Sequence, residues 1–260
     1  LASASDYPVF IREVDRTTRR ELCFVGGSIT GAGISRTWAR WHKSTAMVAY
    51  GPGFTVVGTR FDNQGDGIDF EGVRATDWRI DGVEMTNIHD DCVENDEMNT
   101  GLITDSLFDG CHSGISAASW GGGGLPDGTD NTITIDRTLI RMQPMEVYKG
   151  TSPGHGGLFK FSLDPSIQGR APSLVIRNSI FRVDQPPNYS DVGIPSYVNE
   201  AGVRVRYPIE CENNTMVWLG TGPFPGWLPP ASSSPRKSRP ISRPSAWPGT
   251  RRGRSSKRGT

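Results

Sequence analysis

Three consecutive segments of the chain repeat one pattern, and this repeat restricts the fold more than any other feature. The segments cover 55–63, 79–87 and 102–110, and their apolar anchors Phe61, Met85 and Phe108 are 24 and 23 residues apart. Apolar and polar residues alternate within each segment, which is the periodicity of a β-strand. Turn residues (Asn, Gly and Asp) follow each segment. A second short apolar run then begins, at 67–70, 92–94 and 114–116.

Weaker copies of the pattern extend the series in both directions, at 24–29, 132–140, 174–181 and 212–218, with insertions at 36–50, 121–131 and 185–207. A repeat of about 20–25 residues with two or three short strands is typical of a parallel β-helix, in which each turn adds one rung and like residues stack. A β-sandwich also has many short strands, but the near-constant anchor spacing favours the β-helix. We therefore expect an all-β domain over residues 1–230: a single-stranded right-handed parallel β-helix, regular over about 20–230, with Asn and Gly at its corners.

The formal charge of zero conceals two unlike parts. Residues 231–260 hold nine basic and no acidic residues, so the first 230 carry nineteen basic against 28 acidic, a net of −9. The tail is rich in Ser, Arg, Pro and Gly, cannot bury a core and is predicted to be disordered. It is a polyanion-binding tail, a plain flexible tail or non-native sequence, and the abrupt change in composition favours the last. The acidic domain is not expected to bind nucleic acid, which requires clustered Lys and Arg.

Hydropathy and the cysteines indicate in which cellular compartment the protein is found. No apolar stretch approaches the roughly 18–20 residues of a membrane span, so we expect no membrane partner. No signal peptide is visible, and a start at Leu1 indicates a processed terminus or a fragment boundary. The four cysteines show no metal-binding spacing. Four buried thiols are the simplest expectation, and the alternative is a Cys92–Cys111 disulfide, which implies an oxidising compartment. We predict a secreted or periplasmic monomer.

Titratable residues recur at equivalent positions of neighbouring repeats. Asp66 and Asp90 each lie five residues after their anchor, so we expect Asp66 to stack on Asp90. His89 and His112 each lie four residues after theirs and are expected to stack likewise. Asp91 is adjacent. Carboxylates this close resist joint ionisation, so one pKa should rise and the group can divide acid and base roles.

The runs Asp-Gly-Ile-Asp at 66–69, Asp-Asp-Cys-Val at 90–93 and Gly-Cys-His-Ser at 110–113 resemble the active-site series of polygalacturonase-type glycoside hydrolases. That family has Asn-Thr-Asp-Gly, Asp-Asp-Cys and Gly-His-Gly on successive turns of a right-handed parallel β-helix. The resemblance covers residues 63–116. It implies a polysaccharide substrate, inverting hydrolysis and no cofactor.

Carried over residue by residue, the resemblance makes Asp66, Asp90 and Asp91 the three catalytic aspartates and His112 the catalytic histidine. We predict Asp91 as the acid, Asp66 and Asp90 as base or water-positioning groups, and His112 as the group that orients or tunes the acid. Consecutive residues of a regular strand face opposite sides, so Asp90 and Asp91 reach one groove only if the chain bends there.

The sequence departs from the family at three places. Asn63-Gln-Gly precedes Asp66, Ser113 replaces a Gly, and residues 1–230 contain no Arg-x-Lys to hold a uronate carboxylate. Possible replacements for that cation are Lys160, Lys149 and the Arg204–Arg206 pair. The predicted substrate-binding residues are Lys160, Glu94, His89 and Arg204, and no metal site is predicted.

Other interpretations of the same residues stay open. In a β-helix lyase, the carboxylates with Glu94 would bind Ca²⁺, and Lys160 or Arg204 would be the base. A non-catalytic β-helix would bind carbohydrate through aromatic residues such as Trp78, Trp120 and Trp218. Asp at β-helix corners can also simply cap the backbone. By the same reasoning His89 would be a corner or surface residue and His155 a loop residue.

Overall fold

The computed structural model describes residues 8–12, 22–31, 37–72, 75–119, 124–145, 154–185 and 192–229 of the 260-residue chain. The chain divides into two units, Leu1–Pro230 and Ala231–Thr260. The second unit is the predicted basic tail, and it lies outside the described residues, as do Trp120 and Lys149. Within the described ranges, no helix is long and apolar enough to cross a membrane.

The fold is all-β, with two one-turn helices, α1 (Trp38–Trp41) and α2 (Pro165–Gln168). The first ten strands are β1 (Val9–Arg12), β2 (Cys23–Val25), β3 (Ser28–Thr30), β4 (Thr45–Tyr50), β5 (Thr55–Val57), β6 (Arg60–Gln64), β7 (Asp66–Glu71), β8 (Trp78–Asp81), β9 (Glu84–Glu94) and β10 (Gly101–Thr104). The others are β11 (Leu107–Ala117), β12 (Thr132–Asp136), β13 (Leu139–Met142), β14 (Phe159–Phe161), β15 (Ser173–Arg177), β16 (Ile180–Val183), β17 (Ser196–Val198), β18 (Arg204–Arg206), β19 (Ile209–Glu212) and β20 (Thr215–Trp218).

Two parallel sheets contain almost all of these strands. The small sheet has seven strands in the order β19-β15-β12-β10-β8-β5-β2, so consecutive passes of the chain are neighbours. The large sheet has eleven, with the main order β1-β4-β7-β9-β11-β13-β16-β20 and with β3, β6 and β14 attached. The chain alternates between the two sheets as it advances. Only β17 and β18, within the predicted 185–207 insertion, form an antiparallel pair among the described strands.

The predicted alignment of the repeats is confirmed. Phe61 pairs with Met85, which pairs with Phe108, and the ladder continues through Ile140 and Phe181. These five anchors are buried. A parallel ladder holds equivalent residues of successive passes side by side, so a constant spacing of anchors in the sequence becomes one continuous apolar column.

Each turn from the small sheet to the large sheet contains a residue with positive φ. Glycine accepts this left-handed conformation without steric cost, and Asn and Asp accept it more readily than other side chains. Arg137 is the exception, and it is held in place by ion pairs with Asp105 and Asp136. The prediction of Gly and Asn at the corners is confirmed. The series is Gly26, Gly58, Gly82, Asp105, Arg137, Asn178 and Asn213.

The expectation of four buried thiols is wrong. Cys92 and Cys111 form a disulfide, whereas Cys23 and Cys211 are exposed thiols. The reason is geometric: Cys92 on β9 and Cys111 on β11 belong to adjacent strands and have Cα atoms 5.6 Å apart, which is the usual distance for a disulfide. The alternative prediction, the Cys92–Cys111 bridge, is confirmed.

Candidate active site

A bend in β9 shapes the candidate site. The first part of β9 pairs with β6 in the register Gln64↔Ile88, and its last part pairs with β7 in the register Ile68↔Val93. Between these two pairs β9 advances by five residues and its partner by four, so β9 contains one extra residue, as in a β-bulge, which bends the strand and redirects side chains. Asn87, just before the bend, has a φ of 54°, and its counterpart Asn63 on β6 has a φ of 57°. The bend that Asp90 and Asp91 require is therefore present.

The same bend corrects the predicted stacking by one residue. The backbone N–H of Asp91, not that of Asp90, donates to Asp66 Oδ1 at 3.0 Å, while the N–H of Asp90 donates to the carbonyl of Gly65 at 2.8 Å. On the other side, β11 pairs as Cys111↔Ile88 and then Ser113↔Asp91. His112 therefore lies opposite two residues, His89 and Asp90, rather than opposite His89 alone.

The structure brings the three predicted aspartates together. One carboxylate oxygen from each of Asp66, Asp90 and Asp91 lies within 4.8 Å of the others, and all three side chains are buried. Thr45 donates its hydroxyl hydrogen to Asp66 Oδ2 at 3.1 Å. Lys160, the predicted replacement cation, extends from β14 and places Nζ 2.5 Å from Asp91 Oδ2 and 3.9 Å from Asp90 Oδ1. We call these three aspartates with Lys160 the carboxylate cluster.

Both consecutive aspartates are buried, and their partners separate their pKa values. Burial raises the pKa of Asp91 to about 7, although Lys160 opposes the rise and the charge of Asp90 adds to it. Burial also disfavours ionisation of Asp90, but the Lys160 ammonium and a hydrogen bond from His42 outweigh it and hold the pKa of Asp90 below its usual value. Asp66 has its pKa raised well above normal by burial and then by Asp90 and Asp91. Asp90 is thus the ionised member of the cluster, and the other two keep protons to higher pH.

The two oxygens of Asp91 have unlike surroundings. Oδ2 accepts from Lys160, whereas Oδ1 is buried and has no hydrogen-bond partner among the residues that the structure describes. A buried polar atom without a partner costs free energy. Asp91 thus combines a pKa of about 7 with a hydrogen bond at Oδ2 only. This combination suits it to donate a proton from Oδ1 to a bound molecule.

His112 is buried beside this cluster. Burial lowers its pKa to about 4, even though Asp90 acts in the opposite direction, so the ring is neutral at pH 7. Its Nδ1 lies 3.4 Å from the hydroxyl of Ser113. A neutral imidazole can orient neighbouring groups without adding a charge.

A second row of acids lies one step further along β7 and β9. Asp69 pairs with Glu94 in the parallel register. Burial, and then Glu71, raise the pKa of Asp69 to about 8, and burial followed by Asp66 and Asp69 raises that of Glu94 well above normal. Asp96 accepts hydrogen bonds from the Ser116 hydroxyl and the Ala118 N–H. Glu94 therefore borders the cluster, as predicted, but it belongs to this second row of acids and not to the cluster itself.

Sequence reasoning missed the contribution of α1. His42, directly after this helix, places Nδ1 2.7 Å from Asp90 Oδ2 and stacks on Trp38 with ring centroids 4.6 Å apart. Trp41 stacks on His89 at 3.9 Å, and His89 Nε2 lies 3.0 Å from Asn63 Oδ1. The only signal was the concentration of two Trp and a His at 38–42, inside a segment interpreted as an insertion.

Other predicted residues lie elsewhere or have different surroundings. Arg204 is on β18 and donates to the Ser196 hydroxyl, so it is not part of the carboxylate cluster. Trp78 is buried and stacks on Phe70, which removes it from any binding surface, and Trp218 is half-buried. His155 is in a loop, as predicted, but it is fully buried.

The cluster fits an ammonium ion better than Ca²⁺. Ca²⁺ requires six to eight oxygen ligands at 2.3–2.6 Å, and three aspartates provide one converging oxygen each. Lys160 already lies within hydrogen-bond distance of Asp91. A metal ion would therefore have to displace the lysine and gain further oxygens from solvent or substrate.

A groove of about 1010 Å³ lies between α2 and the β17–β18 hairpin, and none of its lining residues belongs to the carboxylate cluster.

No protein-family model, no curated protein and no solved structure matches this chain. The carboxylate cluster itself is therefore the feature of this chain that indicates a function.

Proposed function

We propose that the chain is a right-handed parallel β-helix hydrolase that cleaves a polysaccharide at the carboxylate cluster. The observation that carries this proposal is the convergence of three buried carboxyls beside Lys160, in which Asp90 and Asp91 have different hydrogen-bond partners. Pairs of titratable groups whose environments separate their pKa values are typical of acid and base partners. The pKa of Asp91 is raised to about 7, so a large fraction of it is protonated near pH 7, whereas the pKa of Asp90 is lowered.

In the proposed reaction Asp91 is the general acid. Its Oδ1 donates a proton to the glycosidic oxygen as the bond to the anomeric carbon breaks, while Lys160 stabilises the carboxylate that forms. Asp90 withdraws the proton from the attacking water, directly or through a neighbour. His112, buried and neutral, positions the acid from the side of β11.

The spacing of the cluster bears on the stereochemistry. Inverting hydrolysis requires roughly 6.5–9.5 Å between the two carboxyl groups, and retaining hydrolysis about 5–5.5 Å. The converging oxygens of the three aspartates lie within 4.8 Å of one another, which is shorter than the separation of acid and base that inversion requires. Inversion, which the resemblance implies, needs a base that lies further out.

Several features support a polysaccharide and an extracellular site of action. The runs that resemble polygalacturonase-type hydrolases are the same runs that form the cluster. The Cys92–Cys111 disulfide fits a secreted or periplasmic protein. Lys160 is engaged with Asp91, and Arg204 with Ser196, so neither is reserved for a uronate carboxylate. We therefore include neutral as well as acidic glycans among the substrates. We propose that the protein acts on them as a monomer.

The test is a panel of acidic and neutral polysaccharides with product analysis by mass. Hydrolysis adds one water to each cleaved bond. We expect Asp91→Asn to lower kcat by about 10²–10⁴-fold, the usual contribution of a general acid, and the exposed Asp130→Asn to leave it unchanged. Full activity in the Asp91 variant would show that the acid has been assigned to the wrong residue.

A Ca²⁺-dependent lyase is the second candidate. The three converging carboxylate oxygens would be part of its Ca²⁺ site, and the ion would have to displace Lys160 and gain further oxygens from solvent or substrate. A lyase leaves an unsaturated uronate that absorbs in the ultraviolet and adds no water. Loss of activity on chelation, together with such a product, would replace the hydrolase assignment. Binding without cleavage across the whole panel would instead indicate a carbohydrate-binding protein.

A further inference from the structure

One histidine outside the predicted set joins the buried cluster to the surface. His42 places Nδ1 2.7 Å from Asp90 Oδ2, and its side chain is 52% exposed, whereas that of Asp90 is 3% exposed. The ring is held flat against Trp38, with an interplanar angle of 15°. Nε2, on the far side of the ring, has no hydrogen-bond or ion-pair partner among the residues that the structure describes.

The ionised state of Asp90 decides the tautomer of His42. A carboxylate only accepts hydrogen bonds, so Nδ1 must carry the hydrogen in this contact. In the neutral imidazole the lone pair then lies on Nε2, which faces outward. A buried carboxylate that fixes the tautomer and orientation of an imidazole, and stabilises the imidazolium formed when the ring accepts a proton, is the arrangement of the aspartate and histidine in serine hydrolases.

We propose that Nε2 of His42 is the base that accepts the proton of the attacking water, and that Asp90 acts through it. This inference rests on the proposed hydrolytic function. It also takes the base out of the group of three converging carboxyls, since Nε2 lies on the far side of the ring whose Nδ1 is 2.7 Å from Asp90 Oδ2. Inversion needs a base outside that group.

The bonds and protons balance in this scheme. The water oxygen bonds to the anomeric carbon and loses one proton to His42 Nε2, which becomes an imidazolium paired with Asp90. The glycosidic C–O bond breaks, and its oxygen takes the proton from Asp91 Oδ1. The imidazolium and the ionised Asp91 then return to their starting states by exchange of one proton through solvent.

Several charged groups lie near His42. Asp90 faces it from β9, Arg40 and Lys43 belong to its own turn, and Lys160 lies behind Asp90 at 3.9 Å. A base that gains a proton on Nε2 loses the lone pair that the reaction uses. We therefore expect the acidic limb of the kcat/KM profile of the wild type to change in the His42→Ala variant.

The test is chemical rescue. We expect His42→Ala to lose about 10²–10⁴-fold in kcat and to regain activity in proportion to added imidazole, whereas the wild type and the adjacent control Lys43→Ala should not respond. His42→Asn retains an amide donor for Asp90 but cannot accept a proton, so it should be as slow as the alanine variant. Because His42 is half exposed, folding should be preserved, and circular dichroism checks this.

Three outcomes would overturn the inference. Full activity in His42→Asn would reduce His42 to a positioning residue, and an unchanged acidic limb in His42→Ala would exclude it as the titrating base. In ¹⁵N spectra of the wild type at pH 7, a hydrogen on Nε2 rather than Nδ1 would contradict the geometry. In each case the Asp91→Asn result still tests hydrolysis separately, whereas a wild type that cleaves no glycan refutes the function itself.

Discussion

Replacing Asp91 by Asn should make the protein more stable at neutral pH while lowering the proposed hydrolytic activity. The pKa of Asp91 is raised from 3.8 to about 7 in the folded protein. Between these values the unfolded chain releases the proton while the folded chain retains it, so the free energy of unfolding falls as pH rises through this window. At about 1.36 kcal/mol per unit, the difference amounts to roughly 4 kcal/mol at pH 7 and above. An amide does not ionise and removes this cost.

The prediction concerns the difference between two pH values. An amide beside Lys160 packs differently from a carboxyl, and that change contributes equally at pH 4 and pH 8. The pKa of Asp91 sets only the part of the difference in unfolding free energy that changes with pH. Asp91 also raises the pKa of Asp66, so its removal acts in the same direction there.

The assay is urea unfolding of the wild type, Asp91→Asn and the exposed control Asp130→Asn at pH 4 and pH 8. We expect the Asp91 variant to gain up to about 4 kcal/mol over the wild type at pH 8 relative to pH 4, and the control to gain nothing. An equal difference at the two pH values would refute the argument, because it would mean that Asp91 has the same pKa in the folded and unfolded chains.

Three further predictions concern the fold and the cluster. The Cys92→Ala/Cys111→Ala double variant should lose about 3 kcal/mol, the entropic value for a loop of this length, measured as a lower Tm that dithiothreitol reproduces in the wild type; an unchanged Tm would contradict the bridge. Phe108→Ala should cost about 3–5 kcal/mol in urea unfolding, and the partly exposed neighbour Leu107→Ala much less. Lys160→Met should raise the pKa of Asp91 and move the basic limb of the activity profile to higher pH, whereas a shift to lower pH would contradict its role.

The parallel order of the strands could be predicted because it depends on local periodicity. The 24- and 23-residue steps between Phe61, Met85 and Phe108 become direct pairs in the large sheet. Counting from these anchors succeeded as far as Gln64 and Ile88. It failed by one residue beyond them, because the bulge in β9 adds a residue that no periodic pattern reveals.

The contribution of His42 could not be predicted for a different reason. It reaches Asp90 across 48 positions of sequence, from a segment that has no counterpart in the neighbouring repeats. Such a contact depends on how the chain returns to the sheet after α1. The lysine was easier to find, because Lys160 is on β14, which continues the same sheet and pairs with Ser116.

The bulge explains why two consecutive aspartates have opposite properties. A regular strand would bury one of them and expose the other. The bend instead directs Asp90 toward His42 and Lys160, which compensate its charge, and directs Asp91 toward Asp66 and the interior, where one lysine must compensate more than one carboxyl. The disulfide of Cys92, the very next residue, to Cys111 ties β9 to β11 beside this bend. The disulfide therefore joins the two strands that position Asp91 and His112.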